Sequence, residues 1–229
     1  MKRFWTDVAV ATDESGHGIR LDGRPVRTPG RLPLIVPTPA LAEAIAAEWR
    51  AVTGEIDPRA MRLTGLANAA VERIAPNPRS FADGLADYAE TDLLCYRADS
   101  PAALVARQAA VWDPLLDWAA GRYDIGFTRA TGIVHRAQPP ATVERLADAI
   151  RARDAFRLAA LSPIITIGGS LVTALALDEG VIDAESAWNA THLDELWQEE
   201  QWGEDELATR ARAARRGDFD AGARFLALV

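Results

Sequence analysis

Apolar and polar positions alternate along the first thirty-odd residues and then switch to a helical period. Val8-Ala-Val-Ala11 alternates weakly, Asp13 to Gly16 and Gly18 supply turn chemistry, and Ile19 to Pro25 reads as a strand followed by a turn. Leu32 to Val36 adds a further strand, which Pro33 confines to a sheet edge or to a strand start. A small antiparallel unit is expected here. Thr38 then offers an N-cap with Pro39 at the first helical position, and Leu41, Ile45, Trp49 and Val52 recur at helical spacing until Gly54.

Helical patterning continues to the C-terminus. Ser80-x-x-Asp83 reads as the cap of a helix carrying Phe81, Leu85 and Tyr88. Ser100-Pro101 starts another, which Asp113-Pro114 is expected to kink or restart. Pro140 to Ile150, Ala184 to Gln201, Glu204 to Arg215 and a last short helix from Phe219 supply the rest. The fold class is therefore α+β. Residues 1–55 are expected to form a small β-rich N-terminal domain and 56–229 a larger mainly α-helical one, with the boundary between 37 and 58.

Leu158 to Leu177 carries no charge and has about the length a bilayer needs. Pro163, Gly168-Gly169 and four hydroxyl side chains make a buried helix pair, broken near Ser162-Pro163, the expectation over a membrane span. The start Met1-Lys-Arg-Phe-Trp5 shows no apolar stretch of signal-peptide type.

Composition narrows the functions available. Of 229 residues, 49% are apolar and 25% charged, enough for a sizeable core. A formal net charge of -8 repels phosphate backbones and anionic membrane surfaces, so nucleic acid and stable membrane insertion are not expected. Lys2 is the only lysine, and at a terminus it can serve neither a Walker-type phosphate loop nor Schiff-base chemistry. Cys95, the only cysteine, forms no internal disulfide and anchors no multi-thiolate zinc site.

Catalytic motifs are weak. Gly168-Gly-Ser170 lacks the strand-turn-helix context of a nucleophile elbow, and Cys95 sits among apolar neighbours rather than the basic surroundings an activated thiolate needs. His192 and Glu195 lie three apart on what reads as one helix, so a small metal-dependent hydrolase using that pair is the alternative function, with Asp87, Glu90 and Asp92 as a second carboxylate group. The acids from Asp194 to Glu206 keep unusual company: Trp188, Trp197 and Trp202 fall in or beside them. Large apolar anchors beside carboxylates suit a protein-binding surface as well as they suit core.

Several blocks recur in family order. Arg3-Phe-Trp5, Leu21-Asp-Gly-Arg-Pro25 with Arg27-Thr-Pro29, Ala47-Glu-Trp49 with Met61-Arg-Leu-Thr64, and Asp92-Leu-Leu-Cys-Tyr-Arg97 lead to Gln108 with Trp112-Asp-Pro114. The last is Leu193-x-Glu195-x-x-Gln198-x-x-x-Trp202-Gly203. Together they resemble the F1 assembly chaperones of ATP synthase, of the type that binds the alpha subunit. The resemblance implies a chaperone without enzymatic activity or cofactor, whose partner is the unassembled alpha subunit, shielded on its beta-contacting surface until the catalytic hexamer forms. Carried over by position, it makes Glu195 the foremost partner-binding residue, with Gln198, Trp202, Asp194 and Glu199 around it. Mitochondrial members bring a targeting extension that this sequence does not show. Either a bacterial, cytoplasmic member or a processed form is therefore expected, and the arginine and alanine bias favours the bacterium.

Overall fold

The computed structural model describes residues 2–132 and 134–229; Met1 and Ile133 lie outside them. Short strands come first and helices follow, as the α+β class requires. The chain divides into two compact units. Met1–Pro78, Asp154–Ala160 and Ala221–Val229 make up the first, Arg79–Arg153 and Leu161–Asp220 the second.

In the first unit, β1 (Val8–Asp13) pairs antiparallel with β2 (Gly16–Leu21), from Val8 opposite Leu21 to Asp13 opposite Gly16. Asp13 closes the two-residue turn by accepting from the Ser15 amide at 2.9 Å. Gly16 sits at φ 130°, and a Cβ there would lie 2.9 Å from the Val36 carbonyl oxygen, so only glycine fits without a shift. Both β3 (Arg24–Pro25) and β4 (Ile35–Val36) pair with β2. The strand expected from Leu32 thus shrinks to its last two residues, with Pro33 making only an isolated bridge to Arg27. Proline has no amide to extend the ladder.

Helix α1 (Pro39–Ala51) starts as expected, with the Thr38 hydroxyl accepting from the Leu41 amide at 3.1 Å. Leu41, Ala42, Ile45 and Ala46 are buried, and the helix packs on β1 and β2. Glu48 reaches α2 (Arg62–Ala69), where its carboxylate accepts from the Leu63 and Thr64 amides, each at 2.8 Å, and from the Thr64 hydroxyl at 2.6 Å. A carboxylate at a helix N-terminus satisfies orphan amides and meets the positive end of the dipole. The blocks Ala47-Glu-Trp49 and Met61-Arg-Leu-Thr64 are thus two halves of one contact. A π-helical turn (Ala70–Ile74) leads on to α3 (Pro78–Ala86). That helix begins at Pro78, two residues before the expected cap: Pro78 takes the first helical position and Ser80 lies inside.

The second unit is built on α4 (Ala102–Tyr123), α5 (Pro140–Arg151) and α7 (Leu171–Asp178), with Leu171 to Ala176 of α7 all buried. The expected restart at Asp113-Pro114 does not occur, because α4 runs through Pro114 unbroken. The break expected at Ser162-Pro163 lies later as well. Helix α6 (Ala155–Gly168) passes through Pro163, the chain turns at Gly169 with φ 68°, and the Ser170 hydroxyl caps α7 by accepting from the Thr173 amide at 3.0 Å. Among the described residues no helix is long and apolar enough to cross a membrane. Two residues each form a parallel pair, β5 (Tyr96–Arg97) with β6 (Ala130–Thr131).

Asp92 is wholly buried and ties the turn before Leu93–Cys95 to the start of α7. One oxygen accepts from the Leu94 amide at 3.0 Å, the other from the Val172 amide at 2.9 Å and the Ser170 hydroxyl at 3.1 Å. Burial nevertheless outweighs these bonds and raises its carboxyl to about 6. Burial, with Asp92 nearby, also pushes the Cys95 thiol up to about 12, leaving it a small core side chain.

Candidate partner-binding site

The stretch from Ala184 to Gln201, expected as one helix, is two. Asp183 caps α8 (Ala184–Thr191) by accepting from the Ser186 amide at 2.8 Å. At its end the Thr191 hydroxyl bonds the Ala187 and Trp188 carbonyls, a local competitor of helical pairing. His192, at φ -111° and ψ 16°, leaves helical geometry, and α9 (Leu193–Trp202) begins afresh. Gly203, at φ 87°, ends α9 while its amide bonds the Glu199 carbonyl at 2.9 Å. Asp205 then accepts from the Ala208 amide at 2.8 Å, next to the start of α10 (Glu206–Leu226). The helix expected to end at Arg215 and the one expected to begin at Phe219 are this single helix.

Glu195 bonds Arg215 at 2.9 and 3.1 Å, and Glu199 bonds Arg212. The pairing order makes α9 and α10 an antiparallel hairpin. Gln198, Trp202, Gly203, Ala208 and Ala211 join the ion-paired residues around an open cleft of about 590 Å³ between the two helices. Trp202 is 78% exposed and Leu207 75%, an apolar pair at the hairpin tip. Apolar side chains this exposed are what a docking surface offers.

From the other side, α4 holds the hairpin. Trp112 is buried and donates its indole N–H to the Ala190 carbonyl at 2.7 Å. Buried Gln108 accepts from the Ala98 amide and donates to Asp194, both at 2.8 Å. Arg107 grips Glu200 through two bonds of 2.5 and 2.8 Å and lies over the Trp197 ring at 5.7 Å. The Arg107 contact holds the Glu200 carboxyl below its ordinary value.

The three tryptophans thus differ in kind. Trp188 is core, stacked on His192 with centroids 3.5 Å apart and edge-on to Phe219 at 5.3 Å; Trp197 is half-buried; only Trp202 is free for a partner. The five expected residues share α9. Glu195, Gln198, Glu199 and Trp202 line the cleft, whereas Asp194 faces Gln108 of α4. Arg212, Arg215 and Leu207 were not singled out in the sequence, although a basic run from Arg210 to Arg216 follows the acids at a distance that suits a hairpin.

The His192–Glu195 pair is not assembled as a metal or acid/base site. His192 sits at the helix junction, buried, with Nδ1 3.1 Å from the Trp188 carbonyl oxygen, and burial lowers its pKa. Glu195 is engaged by Arg215. Of the second carboxylate group, Asp92 is enclosed in the core, and Glu90 meets His135 at 3.5 Å and accepts from the Gln138 amide at 3.3 Å. Among the described residues, no three His, Cys, Asp or Glu side chains come together as a metal site.

Residues 2–120 match the family model described as ATP12 chaperone protein. The chain belongs to the ATP12 chaperone family. Among solved structures, ATP12 from Paracoccus denitrificans is 44% identical with a TM-score of 0.93, over 99% of this chain and 97% of that one. A protein of Agrobacterium tumefaciens is 41% identical with a TM-score of 0.94, over 99% and 85% of the two chains. The mitochondrial atp12 protein of Schizosaccharomyces pombe is 24% identical over 214 residues, 88% of this chain and 74% of that one. The higher identity to bacterial proteins agrees with a bacterial ATP12 member. The family model stops before α8, but the likeness to the two solved structures takes in the hairpin as well.

Proposed function

We propose that this ATP12-family protein holds the unassembled alpha subunit of the ATP synthase F1 sector and shields its beta-contacting surface until the catalytic hexamer forms. The observation that carries the reading is the α9–α10 hairpin, where exposed Trp202 lines a cleft edged by Glu195 and Glu199, and Leu207 is exposed at the start of α10. An orphan subunit exposes apolar surface that aggregates, so its holder must cover that surface yet bind weakly enough for the true partner to displace it. An exposed indole supplies the cover. The half-exposed Glu195 carboxylate adds pairing that a rival with better contacts can replace.

The five residues proposed to engage the partner are Glu195, Gln198, Trp202, Asp194 and Glu199, with Asp194 acting from the helix shoulder. We place the work in the cytoplasm of a bacterial cell. Tagged protein captured from its own cells should bring down the alpha subunit without beta, and Glu195→Lys should abolish that capture while the thermal unfolding curve stays cooperative. Capture of neither subunit by the wild-type protein would end this reading.

A further inference from the structure

The carboxylates facing the cleft already hold guanidinium groups, and these belong to the protein itself. Glu195 takes Arg215, with both side chains close to half-exposed, at 45% and 44%. Glu199 takes Arg212 deeper down, at 20% and 15%. Below the exposed Trp202, the walls near these pairs are small, Ala208 and Ala211, which leaves room for an inserted side chain. An exposed ion pair contributes little, so a better-placed guanidinium can replace one partner at small cost.

We propose that the α9–α10 cleft receives an arginine-bearing, partly apolar segment of the client protein, and that Arg215 occupies its place on Glu195 until the client arrives. This rests on the reading above, in which the client is the F1 alpha subunit. The cleft commits to that kind of segment for two reasons. Its lining carries three carboxylates, Glu195, Glu199 and Asp205, against two arginines, Arg212 and Arg215, so a basic segment is favoured over an acidic one. An indole at its mouth offers a face for an aliphatic or guanidinium group. Arg215 then acts as a competitor that keeps Glu195 paired in the free protein and weakens binding to clients lacking a guanidinium at that point.

The sign of one substitution separates this from a supporting role for Arg215. Wild type, R215Q and R215Q/E195Q are titrated with purified F1 alpha subunit from the same cell, and thermal unfolding is recorded for each. Removing the internal competitor should tighten binding about two- to five-fold, the range an exposed pair is worth. The gain should vanish in R215Q/E195Q. R215K, which keeps a point charge but not the planar guanidinium whose one nitrogen reaches both Glu195 oxygens, should shift binding in the same direction by a smaller factor.

Unchanged or weaker binding by R215Q overturns the proposal while leaving the proposed function standing, because the wild type still binds. If the wild type does not bind the alpha subunit, both fall. A wild-type dimer by sedimentation that Trp202→Ala dissolves assigns the cleft to a second copy and also overturns it.

Discussion

Asp92→Asn isolates what enclosing a carboxylate does to this fold. Asp92 has no solvent contact and receives three hydrogen bonds from Leu94, Val172 and Ser170, yet its carboxyl lies near 6 against an ordinary 3.8. The folded state therefore binds the proton more tightly than the unfolded chain. Stability from this group is full below about pH 4, declines as the pH rises through 6, and is gone at pH 7. From the two values, the wild type gains on the order of 1 kcal/mol at pH 5 and roughly 2 kcal/mol at pH 4 relative to pH 7. Asparagine does not titrate, so subtracting its profile from the wild type's cancels the other carboxylates and leaves this one. Urea unfolding followed by circular dichroism at pH 7, 6, 5 and 4 supplies both profiles. The wild type should gain on the variant at each step downward. A flat difference, or a wild type that loses ground as the pH falls, would refute the reasoning: it would mean that the three donors outweigh the desolvation.

Trp202→Ala should leave the unfolding free energy within about 0.5 kcal/mol, since the ring is mostly in water. The same change should weaken alpha-subunit binding at least about tenfold in a titration if the indole is an anchor. Glu48→Gln keeps one acceptor for the α2 amides but loses the charge and the second oxygen, and should cost about 1–2 kcal/mol. A thermal melt should show it as a fall of roughly 2–8 °C. Gly16→Ala meets both a positive φ and the Val36 carbonyl, and should cost about 2 kcal/mol or more by urea midpoint.

Local chemistry made much of this fold readable in advance. Thr38-Pro39 acts as written, because a hydroxyl cap and a proline at the first helical position are decided within one turn. The hairpin of β1 and β2 follows from its turn residues. Where two signals competed, tertiary packing chose. Between Arg157 and Asp178 both Pro163 and Gly168-Gly169 could have broken the helix. The buried apolar residues around Pro163 keep it helical, while Gly169 and Ser170 offer a left-handed turn and a cap together. His192 ends a helix without any breaker, because the Thr191 hydroxyl competes for carbonyls and the imidazole stacks on Trp188. No period in the sequence carries that. The site divides in the same way. Its acids and indoles were visible as residue types, but the exposure of Trp202, the burial of Trp188 and the Glu195–Arg215 pair depend on which faces meet.

Arg107, Gln108 and Trp112 lie within two turns of α4 and reach Glu200, Asp194 and Ala190 respectively. The end of α8, the first turn of α9 and its last are thereby tied to one rigid rod. Under the proposed function α9 meets its client already ordered, so association involves no helix nucleation and its rate is set by collision and charge. The encounter should quicken as salt is lowered, and the heat capacity change on binding should match the apolar area covered, with none added by folding.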